Sequence, residues 1–303
     1  MNTRNKIDIM IEPTNRCNLR CPTCFSHQDR RKKRDMPFGE FKKIVDQNFG
    51  IIRNMSLYNY GEPFLNSNLC RMISYAKENG VEFIKVTTNG MFLDRDSIIN
   101  LLHSGLDYLS ISLDGATSGI YSQFRIGGDF RRVVSNIANL VGIRNELNNN
   151  LKIEVQFIIM RHNEHQVKLI KNMARRLKVD ILRLKTVLIK RSEWNFLLPE
   201  TKKYNRYIGL DNKRKNFCFK PLEELVINSD GTVIPCCYIV GKDIARFKLG
   251  NVLKTTLCEI INSNSYRNFV KNCTAQKYKL SCCASCEEGN LPLNFKLIRL
   301  NDG

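Results

Sequence analysis

The sequence predicts an α/β fold, an open barrel of six strand–helix units followed by a small β-hairpin unit. Short β-prone runs alternate with helix-like patterns up to Val187, and this alternation is typical of a parallel sheet. Within the runs, apolar residues lie on one face and polar residues on the other. A flat sheet covered by helices on both sides is apolar on both faces, so the alternation indicates a curved sheet whose interior can hold a ligand.

The predicted strands of the barrel are, in order, Lys6–Glu12, Met55–Asn59, Glu82–Thr87, Tyr108–Leu113, Lys152–Ile159 and Ile181–Val187. The fourth strand shows the pattern clearly, because Leu109 and Ile111 alternate with Ser110 and Ser112. Since each strand is followed by a helical pattern, the sequence predicts a partial, TIM-like (β/α)6 barrel.

The chain changes character twice after the barrel. Residues 191–217 contain Pro199 and several charges without clear periodicity, which predicts a connector. From Cys218 the chain is rich in cysteine, and Asp230-Gly231 lies between two β-prone runs, where it supplies the backbone angles of a tight hairpin turn. The predicted organisation is a barrel over residues 1–190, a connector over 191–217 and a hairpin-plus-helix module over 218–303.

Composition restricts the class of protein. A chain of 303 residues with 43% hydrophobic content can bury one large core and is neither disordered nor fibrous. The apolar stretch Ile7–Ile11 is too short for a signal peptide or a spanning helix. Twelve cysteines without an export signal indicate a reducing compartment. We therefore expect a cytoplasmic protein in which close cysteine spacings are metal or cluster ligands.

The net charge of +19 is spread over almost every segment of the chain. Such a distribution is typical of a solvated, Lys-rich surface, so we expect neither nucleic acid nor a membrane as the partner. The run Arg30–Arg34, which reads RRKKR, keeps an RNA partner as the alternative.

The first cysteine constellation follows the first predicted strand directly. Cys17, Cys21 and Cys24 place three thiols within eight residues on a strand-to-helix loop. A four-iron cluster normally takes four thiolates, so a cluster held by three leaves one iron for an outside ligand. The amine and carboxylate of S-adenosylmethionine (SAM) can bind that iron and bring the sulfonium close to it. Loops at the carboxyl ends of barrel strands are where cofactors bind, which supports this interpretation.

This C-x3-C-x2-C spacing, with the aromatic residue Phe25 beside it, resembles the cluster motif of the radical SAM superfamily. The resemblance extends over roughly residues 6 to 190 and implies a shared barrel fold. It implies that Cys17, Cys21 and Cys24 bind a [4Fe–4S] cluster. The residues implied to contact SAM are Gly61, Glu62, Pro63, Thr88, Asn89, Ser112, Asp114 and Arg125.

These SAM contacts belong to four segments that follow successive strands. Tyr60-Gly61-Glu62-Pro63 is similar to the family's GGEP segment, with Tyr60 in place of the first glycine. The segment ending in Asn89-Gly90 is similar to the TNG turn, and the segment with Ser112 and Asp114 resembles the family's segment that meets the ribose and carboxylate of SAM. Arg125 lies in a Y-x3-R-x-G-G segment, where a guanidinium suits binding of the carboxylate.

The second cysteine constellation has the spacing C-x12-G-x4-C from Cys218 through Gly231 to Cys236, followed by the C-x2-C pair Cys283 and Cys286. It resembles SPASM and Twitch modules, whose hairpin carries an auxiliary four-iron cluster. The resemblance implies that these four cysteines bind one auxiliary [4Fe–4S] cluster. The pattern of a second auxiliary cluster is not met, because the spacing differs and no cysteine follows.

Alternatives remain for this second site. Cys282 could replace Cys283, and Cys237 could replace Cys236, as ligands. A zinc ion held by the same four thiolates is a further alternative. The remaining cysteines, which we expect to be core thiols, are Cys70, Cys258 and Cys273.

The resemblance implies a radical SAM enzyme of oxidoreductase type. Its expected cofactors are SAM and two [4Fe–4S] clusters, and its expected partners are a sugar-like small molecule or a peptide as substrate and a flavodoxin- or ferredoxin-like electron donor. Oxidation and epimerisation both fit, and no catalytic residue is assigned. The alternatives are an RNA-modifying radical SAM enzyme and a non-catalytic iron–sulfur electron carrier.

The sixth predicted strand adds a hypothesis about the substrate. Leu182 and Leu184 should face the outer helices, so Arg183 and Lys185 should point into the barrel. Because an unpaired buried charge is costly, two interior cations favour an anionic substrate. The alternative is that this strand lies at the edge of the open barrel, where both side chains meet water.

Overall fold

A computed structural model describes residues 6–27, 29–189, 191–208, 216–284, 286 and 295–300. Its strands are β1 (Ile7–Ile11), β2 (Ile52–Leu57), β3 (Phe83–Thr88), β4 (Tyr108–Ser112), β5 (Lys152–Ile159), β6 (Ile181–Thr186), β7 (Glu224–Ile227), β8 (Thr232–Ile234), β9 (Gly250–Asn251) and β10 (Phe295–Arg299). Within these residues, no helix is long and apolar enough to cross a membrane.

The helices after the barrel strands are α1 (Phe38–Gln47), α2 (Leu69–Glu78), α3 (Arg95–His103), α4 (Ser118–Phe124), α5 (Phe130–Glu146) and α6 (Val167–Arg176). The helices of the C-terminal part are α7 (Lys220–Glu223), α8 (Lys242–Phe247), α9 (Leu257–Asn262), α10 (Asn264–Ala275) and α11 (Ser281–Ala284). Short 3-10 turns occupy Phe25–His27, Pro63–Leu65, Glu164–Gln166, Ser192–Leu197, Lys202–Tyr204 and Lys277–Lys279.

The described strands form one sheet in the order β10-β6-β5-β4-β3-β2-β1-β7-β8-β9. Neighbours from β1 to β6 run parallel, and the sheet does not close on itself. The predicted open (β/α)6 barrel is therefore confirmed. The second strand begins at Ile52, three residues earlier than predicted, because Ile7 of β1 pairs with it despite the polar Arg53 and Asn54.

A continuous apolar core lies between the sheet and its helices. Ile9, Leu57, Val86, Ile111 and Val155 come from five neighbouring strands, and each is fully buried in this core. Helices pack on this face because their apolar residues recur at helical spacing. The helices therefore cover the outer face of the sheet. The cysteine loop after Ile11 follows a strand that is held in this close-packed core.

The predicted hairpin is present and continues the sheet of the barrel. Ile227 of β7 pairs in parallel with Ile11 of β1, and β8 returns antiparallel to β7. Gly231 in the turn has φ +80°, which favours glycine, and an added Cβ would lie 2.7 Å from Leu253. The hairpin therefore lies beside the strand that precedes the first cysteine loop.

The interior of the barrel carries a paired network. Glu154 is fully buried and accepts hydrogen bonds from Ser110 (2.6 Å), Tyr108 and Arg183. Arg183 faces inward as predicted, but Glu154 supplies its negative partner, while Lys185 is exposed. The anionic-substrate hypothesis thus loses the support of this strand, because Arg183 is already paired within the chain and Lys185 is exposed.

The predicted domain boundaries stay a prediction. Residues 209–215 of the predicted connector lie outside the described residues. At the far edge of the sheet, β10 pairs antiparallel with β6 of the barrel, so the predicted C-terminal module supplies one strand to the opposite end of the sheet.

Candidate functional site

The first cysteine loop carries three thiols at the carboxyl end of β1. Cys21 is buried, and Cys17 and Cys24 are partly buried. The backbone N–H of Leu19 donates to Cys17 Sγ at 3.4 Å, and that of Ser26 donates to Cys24 Sγ at 3.5 Å. Such N–H donors stabilise thiolate sulfur, and hydrogen bonds to the sulfurs tune the reduction potential of iron–sulfur clusters.

Burial decides the protonation of these thiols when no metal is bound. Burial raises the pKa of Cys17 to about 11 and also raises the pKa of Cys24. Both are therefore neutral thiols at pH 7 unless a metal replaces the proton, as iron does when it binds cysteine.

Aromatic side chains shield this loop. The Phe25 ring contacts those of Tyr60 (centroids 5.6 Å apart) and Trp194 (5.8 Å), both edge-on. Arg191 lies over the Phe25 and Trp194 rings at 5.7 and 5.4 Å from their centroids. Phe25 lies beside the cysteine motif, and Trp194 joins it there from the segment that the sequence predicts to be a connector.

Glu62 joins the loop after β2 to the turn after β3. Its carboxylate accepts hydrogen bonds from the Thr88 hydroxyl (2.6 Å) and the backbone N–H groups of Asn89 (2.8 Å) and Phe64 (3.2 Å). Burial raises the pKa of Glu62, although these hydrogen bonds oppose the shift. Because a carboxylate accepts about four hydrogen bonds, one acceptor position of Glu62 remains.

Two neighbours of Glu62 fix its loop against the cysteine loop. Gly61 has no room for a side chain, since an added Cβ would lie 1.9 Å from the Thr14 carbonyl oxygen. The Asn89 amide donates to Asn18 Oδ1 at 2.8 Å, between Cys17 and Leu19 of the cysteine loop. Pro63 is buried and begins the 3-10 turn after Glu62. The structure therefore brings together the predicted residues of the second and third loops.

Asp114 and Arg125 form a buried ion pair beside Cys21. Asp114 is fully buried, and its carboxylate accepts from Arg125 Nε (2.6 Å) and the Ile158 backbone N–H (2.7 Å). Arg125 Nη1 lies 3.8 Å from Cys21 Sγ. Although burial opposes its charge, Asp114 and Cys21 raise the pKa of Arg125. Asp114 thus orients Arg125 toward the thiols, and Ser112 lies buried at the end of β4.

The second cysteine site lies where α10 and α11 pack against the hairpin. One small, almost wholly apolar cavity there is lined by six cysteines: Cys218, Cys236, Cys273, Cys282, Cys283 and Cys286. The Cys282 and Cys283 sulfurs are 3.5 Å apart, and the Tyr238 backbone N–H donates to Cys236 Sγ at 3.5 Å. The four predicted auxiliary ligands therefore meet at one place.

The sequence predicts that Cys273 is a core thiol. In the structure it is 1% exposed, lines the same cavity, and hydrogen-bonds the thiols of Cys218 and Cys283. Its backbone carbonyl accepts from the Cys218 N–H at 2.7 Å. The spacing could not reveal this contact, because α10 brings Cys273 to the site from a position with no motif around it.

A larger cavity of about 360 Å³ lies between the two cysteine sites. Phe25 and Tyr60 line it from the first site, and Cys282 and Cys286 line it from the second. Its volume lies in the range of small-molecule sites, about 300–1,000 Å³.

Both cysteine sites offer thiol donors, and thiolates are the usual ligands of iron–sulfur clusters. In the described part of the chain, no group of three or more His, Cys, Asp or Glu side chains is arranged around a single ion. Two arginines of the basic run Arg30–Arg34 form ion pairs within the chain. Arg31 pairs with Glu12 and Asp29, and Arg34 pairs with Glu40.

Two family profiles match the chain. The profile described as Radical SAM superfamily matches residues 11–151, and the SPASM profile, described as an iron–sulfur cluster-binding domain, matches residues 218–287.

Curated relatives differ in activity. The tungsten-containing aldehyde ferredoxin oxidoreductase cofactor-modifying protein of Pyrococcus furiosus is 25% identical over 311 residues, covering 92% of this chain and 86% of that protein. The Fe-coproporphyrin III synthase of Methanosarcina barkeri is 28% identical over 55% of this chain. The GTP 3',8-cyclase of Limosilactobacillus fermentum is 29% identical over 50% of this chain. The chain spans only 40% and 46% of the latter two proteins.

Solved structures share the fold. SuiB of Streptococcus suis bound to S-adenosylmethionine superposes with a TM-score of 0.69 at 16% identity, covering 93% of this chain and 70% of SuiB. Native anSMEcpe with bound AdoMet gives a TM-score of 0.69 at 18% identity over 95% of this chain and 93% of that one. BtrN in complex with AdoMet and 2-DOIA gives a TM-score of 0.59 at 18% identity, covering 93% and 92% of the two chains.

Proposed function

Because this chain belongs to the radical SAM superfamily and carries a C-terminal SPASM-type module, we propose that it abstracts hydrogen from an organic substrate held between its two cysteine sites. SAM and iron–sulfur clusters are its cofactors. When bound and reduced by one electron, they supply methionine and a 5'-deoxyadenosyl radical that takes a hydrogen atom from the substrate.

The residues around the first site have distinct proposed roles. Cys17, Cys21 and Cys24 hold the SAM-binding cluster. Glu62 accepts a hydrogen bond from the SAM amine at its remaining acceptor position, and Arg125 binds the SAM carboxylate. Asp114 acts through Arg125, because both of its oxygens are used by the chain.

The second site has a proposed ligand set of Cys218, Cys236, Cys283 and Cys286. Their cavity also contains Cys273 and Cys282, which we assign as neighbours of the cluster. For an oxidation, a cluster bound there would supply an acceptor for the electron that the substrate radical loses, and the proton would go to a base. In an epimerisation, a thiol returns a hydrogen atom instead. We assign that role to Cys282, and the support is that it also lines the larger cavity.

The cavity between the sites carries the proposal. It contacts the cover of the SAM-binding loop through Phe25 and the auxiliary site through Cys282 and Cys286, so a molecule in it reaches both. Its size suits a sugar-like small molecule or one end of a peptide. The internal pairing of Arg31 and Arg34 favours such a substrate over RNA. We propose a flavodoxin- or ferredoxin-like electron donor.

The test is anaerobic reconstitution with iron and sulfide, followed by addition of dithionite and SAM. We expect 5'-deoxyadenosine and methionine in equal amounts, and neither product from the Cys17→Ala, Cys21→Ala, Cys24→Ala triple variant. A protein that carries its clusters but forms no 5'-deoxyadenosine contradicts the proposal and favours an electron carrier. A Cys70→Ala variant serves as the control, because Cys70 lies on α2, away from both sites.

A further inference from the structure

Asn228 lies directly after β7, at the carboxyl end of the strand that pairs with β1. Its backbone is satisfied by the hairpin turn: its N–H donates to the Thr232 carbonyl at 2.9 Å, and its carbonyl accepts from the Gly231 N–H at 2.8 Å. The turn therefore holds the Asn228 side chain in a fixed place without using it.

The side-chain amide of Asn228 is one of the few buried polar groups without a hydrogen-bond partner among the described residues. The residue is 0% exposed, yet neither its Oδ1 nor its Nδ2 has a hydrogen-bond partner there. Most buried side-chain polar atoms in proteins are paired, because burial without a partner destabilises the fold. An orphaned donor and acceptor on one group call for a ligand that supplies both.

Asn228 lines the 360 Å³ cavity between the two cysteine sites. Two charged residues of that wall, Arg31 and Asp29, are already paired. Arg31 donates to both oxygens of Glu12 (2.9 and 3.0 Å) and to Asp29, and Glu12 also accepts from the Ser229 backbone N–H at 3.1 Å. Asn228 is thus a residue of this wall whose buried side-chain amide lacks a hydrogen-bond partner among the described residues.

We propose that Asn228 recognises an amide group of the substrate, either a carboxamide or a peptide bond in the cis geometry that presents its N–H and carbonyl side by side. An amide offers one donor and one acceptor in a plane, as Asn228 does, so both orphaned atoms are satisfied together. A carboxylate offers acceptors alone and an ammonium group donors alone, so either ion leaves one atom of Asn228 unpaired. This inference rests on the proposed function, since it takes the cavity as the substrate site.

The test compares Asn228→Leu with Asn268→Leu, which makes the same change at an exposed position of α10 in the same module. Both reconstituted proteins are titrated anaerobically with acetamide, which presents N–H and carbonyl side by side, and with myo-inositol, while the melting temperature is followed. We expect acetamide to raise the melting temperature of the parent and of Asn268→Leu, with at least tenfold weaker binding to Asn228→Leu. We also expect Asn228→Leu to melt no lower than the parent, because the orphaned group is removed.

Three results overturn the inference. Equal binding of acetamide to Asn228→Leu and the parent shows that Asn228 does not contact it. Binding of myo-inositol but not of acetamide assigns the cavity to polyols. A markedly lower melting temperature of Asn228→Leu, with its iron content intact, shows that the amide serves the fold. All three readouts are independent of SAM cleavage, so a failure of the proposed function is separately visible as absence of 5'-deoxyadenosine in the parent.

Discussion

The hydroxyl of Tyr60 donates a hydrogen bond to the backbone carbonyl of Cys237, with an oxygen–oxygen distance of 2.8 Å. The carbonyl oxygen of Tyr60 itself lies 4.0 Å from Cys24 Sγ. One residue therefore contacts both cysteine sites, and it stands where the related family segment has glycine. The side chain at this position links the two sites through the wall of the cavity.

Tyr60→Phe should keep the ring packing against Phe25 and remove this link. We expect a loss of about 1–3 kcal/mol in the free energy of unfolding, because the Cys237 carbonyl loses a buried donor. Denaturant unfolding of the anaerobic protein measures it. Tyr278→Phe, at a side chain that is 61% exposed, is the control. Equal stability of both variants would show that water replaces the hydroxyl.

The iron content should separate the two sites. The reconstituted parent is expected to carry about eight irons per chain, and the Cys17→Ala, Cys21→Ala, Cys24→Ala variant about four, since each [4Fe–4S] cluster contributes four. Iron and acid-labile sulfide analysis, with zinc measured in parallel, checks this. About four irons plus zinc in the parent would refute the auxiliary cluster and leave the SAM-binding one.

The ligand set of the auxiliary site can be tested one cysteine at a time. Cys218→Ala, Cys236→Ala, Cys283→Ala and Cys286→Ala should each lose about four irons, because one iron of the auxiliary cluster then lacks its protein ligand. Cys273→Ala and Cys282→Ala should keep the full content. If Cys273→Ala loses iron instead, Cys273 is a ligand of the cluster and one of the four proposed cysteines is not. The electron paramagnetic resonance spectrum of the reduced protein shows which cluster changes.

SAM cleavage should depend on Glu62 and Arg125. Glu62→Gln replaces one acceptor oxygen by a donor and should weaken SAM binding, while Arg125→Ala should lower 5'-deoxyadenosine formation at least tenfold. Asp114→Asn should lower it less, because Arg125 remains. Cluster absorbance controls for iron loss. Parent rates in both Glu62→Gln and Arg125→Ala would show that these residues do not contact SAM.

Lys85 should make stability rise with pH. Burial inside the barrel lowers its pKa to about 8, although Glu154 opposes the shift. Between pH 8 and the normal value near 10.5, the unfolded chain binds more protons than the folded one, so folding is favoured as the pH increases. Lys85→Met should therefore add roughly 2 kcal/mol at pH 7 and little at pH 10.5. Denaturant unfolding checks the difference, with exposed Lys152→Met as the control. If Lys85→Met raises the free energy of unfolding equally at both pH values, the effect comes from side-chain packing and not from the charge of Lys85.

The sequence predicted the barrel well where pattern and pairing agree. β5 runs from Lys152 to Ile159 as predicted, because its polar and apolar residues alternate from Lys152 to Phe157. β2 was misplaced, because its first residues are held by pairing to β1 and not by their own preference for a strand. The local sequence pattern does not predict the end of a strand correctly where pairing with a neighbouring strand determines it.

The sequence predicts the motifs of the candidate sites, but it does not predict which other residues contact them. Spacing places Cys236 and Cys286 in one site, but only packing of α10 brings Cys273 there. The interior position of Arg183 follows from alternation, whereas its pairing with Glu154 depends on the register between β5 and β6. The missing partners of Asn228 are visible only in three dimensions.

The position of β1 between β2 and β7 bears on how the chain folds as it is made. Ile9 pairs with Met55 on one side and with Leu225 on the other, more than 200 residues later. During translation, β1 therefore keeps one open edge until the hairpin emerges from the ribosome, and such edges are prone to association with other strands. The cysteine loop after β1 is anchored on one side for the same period, so iron should be loaded into the finished chain and not into the nascent one.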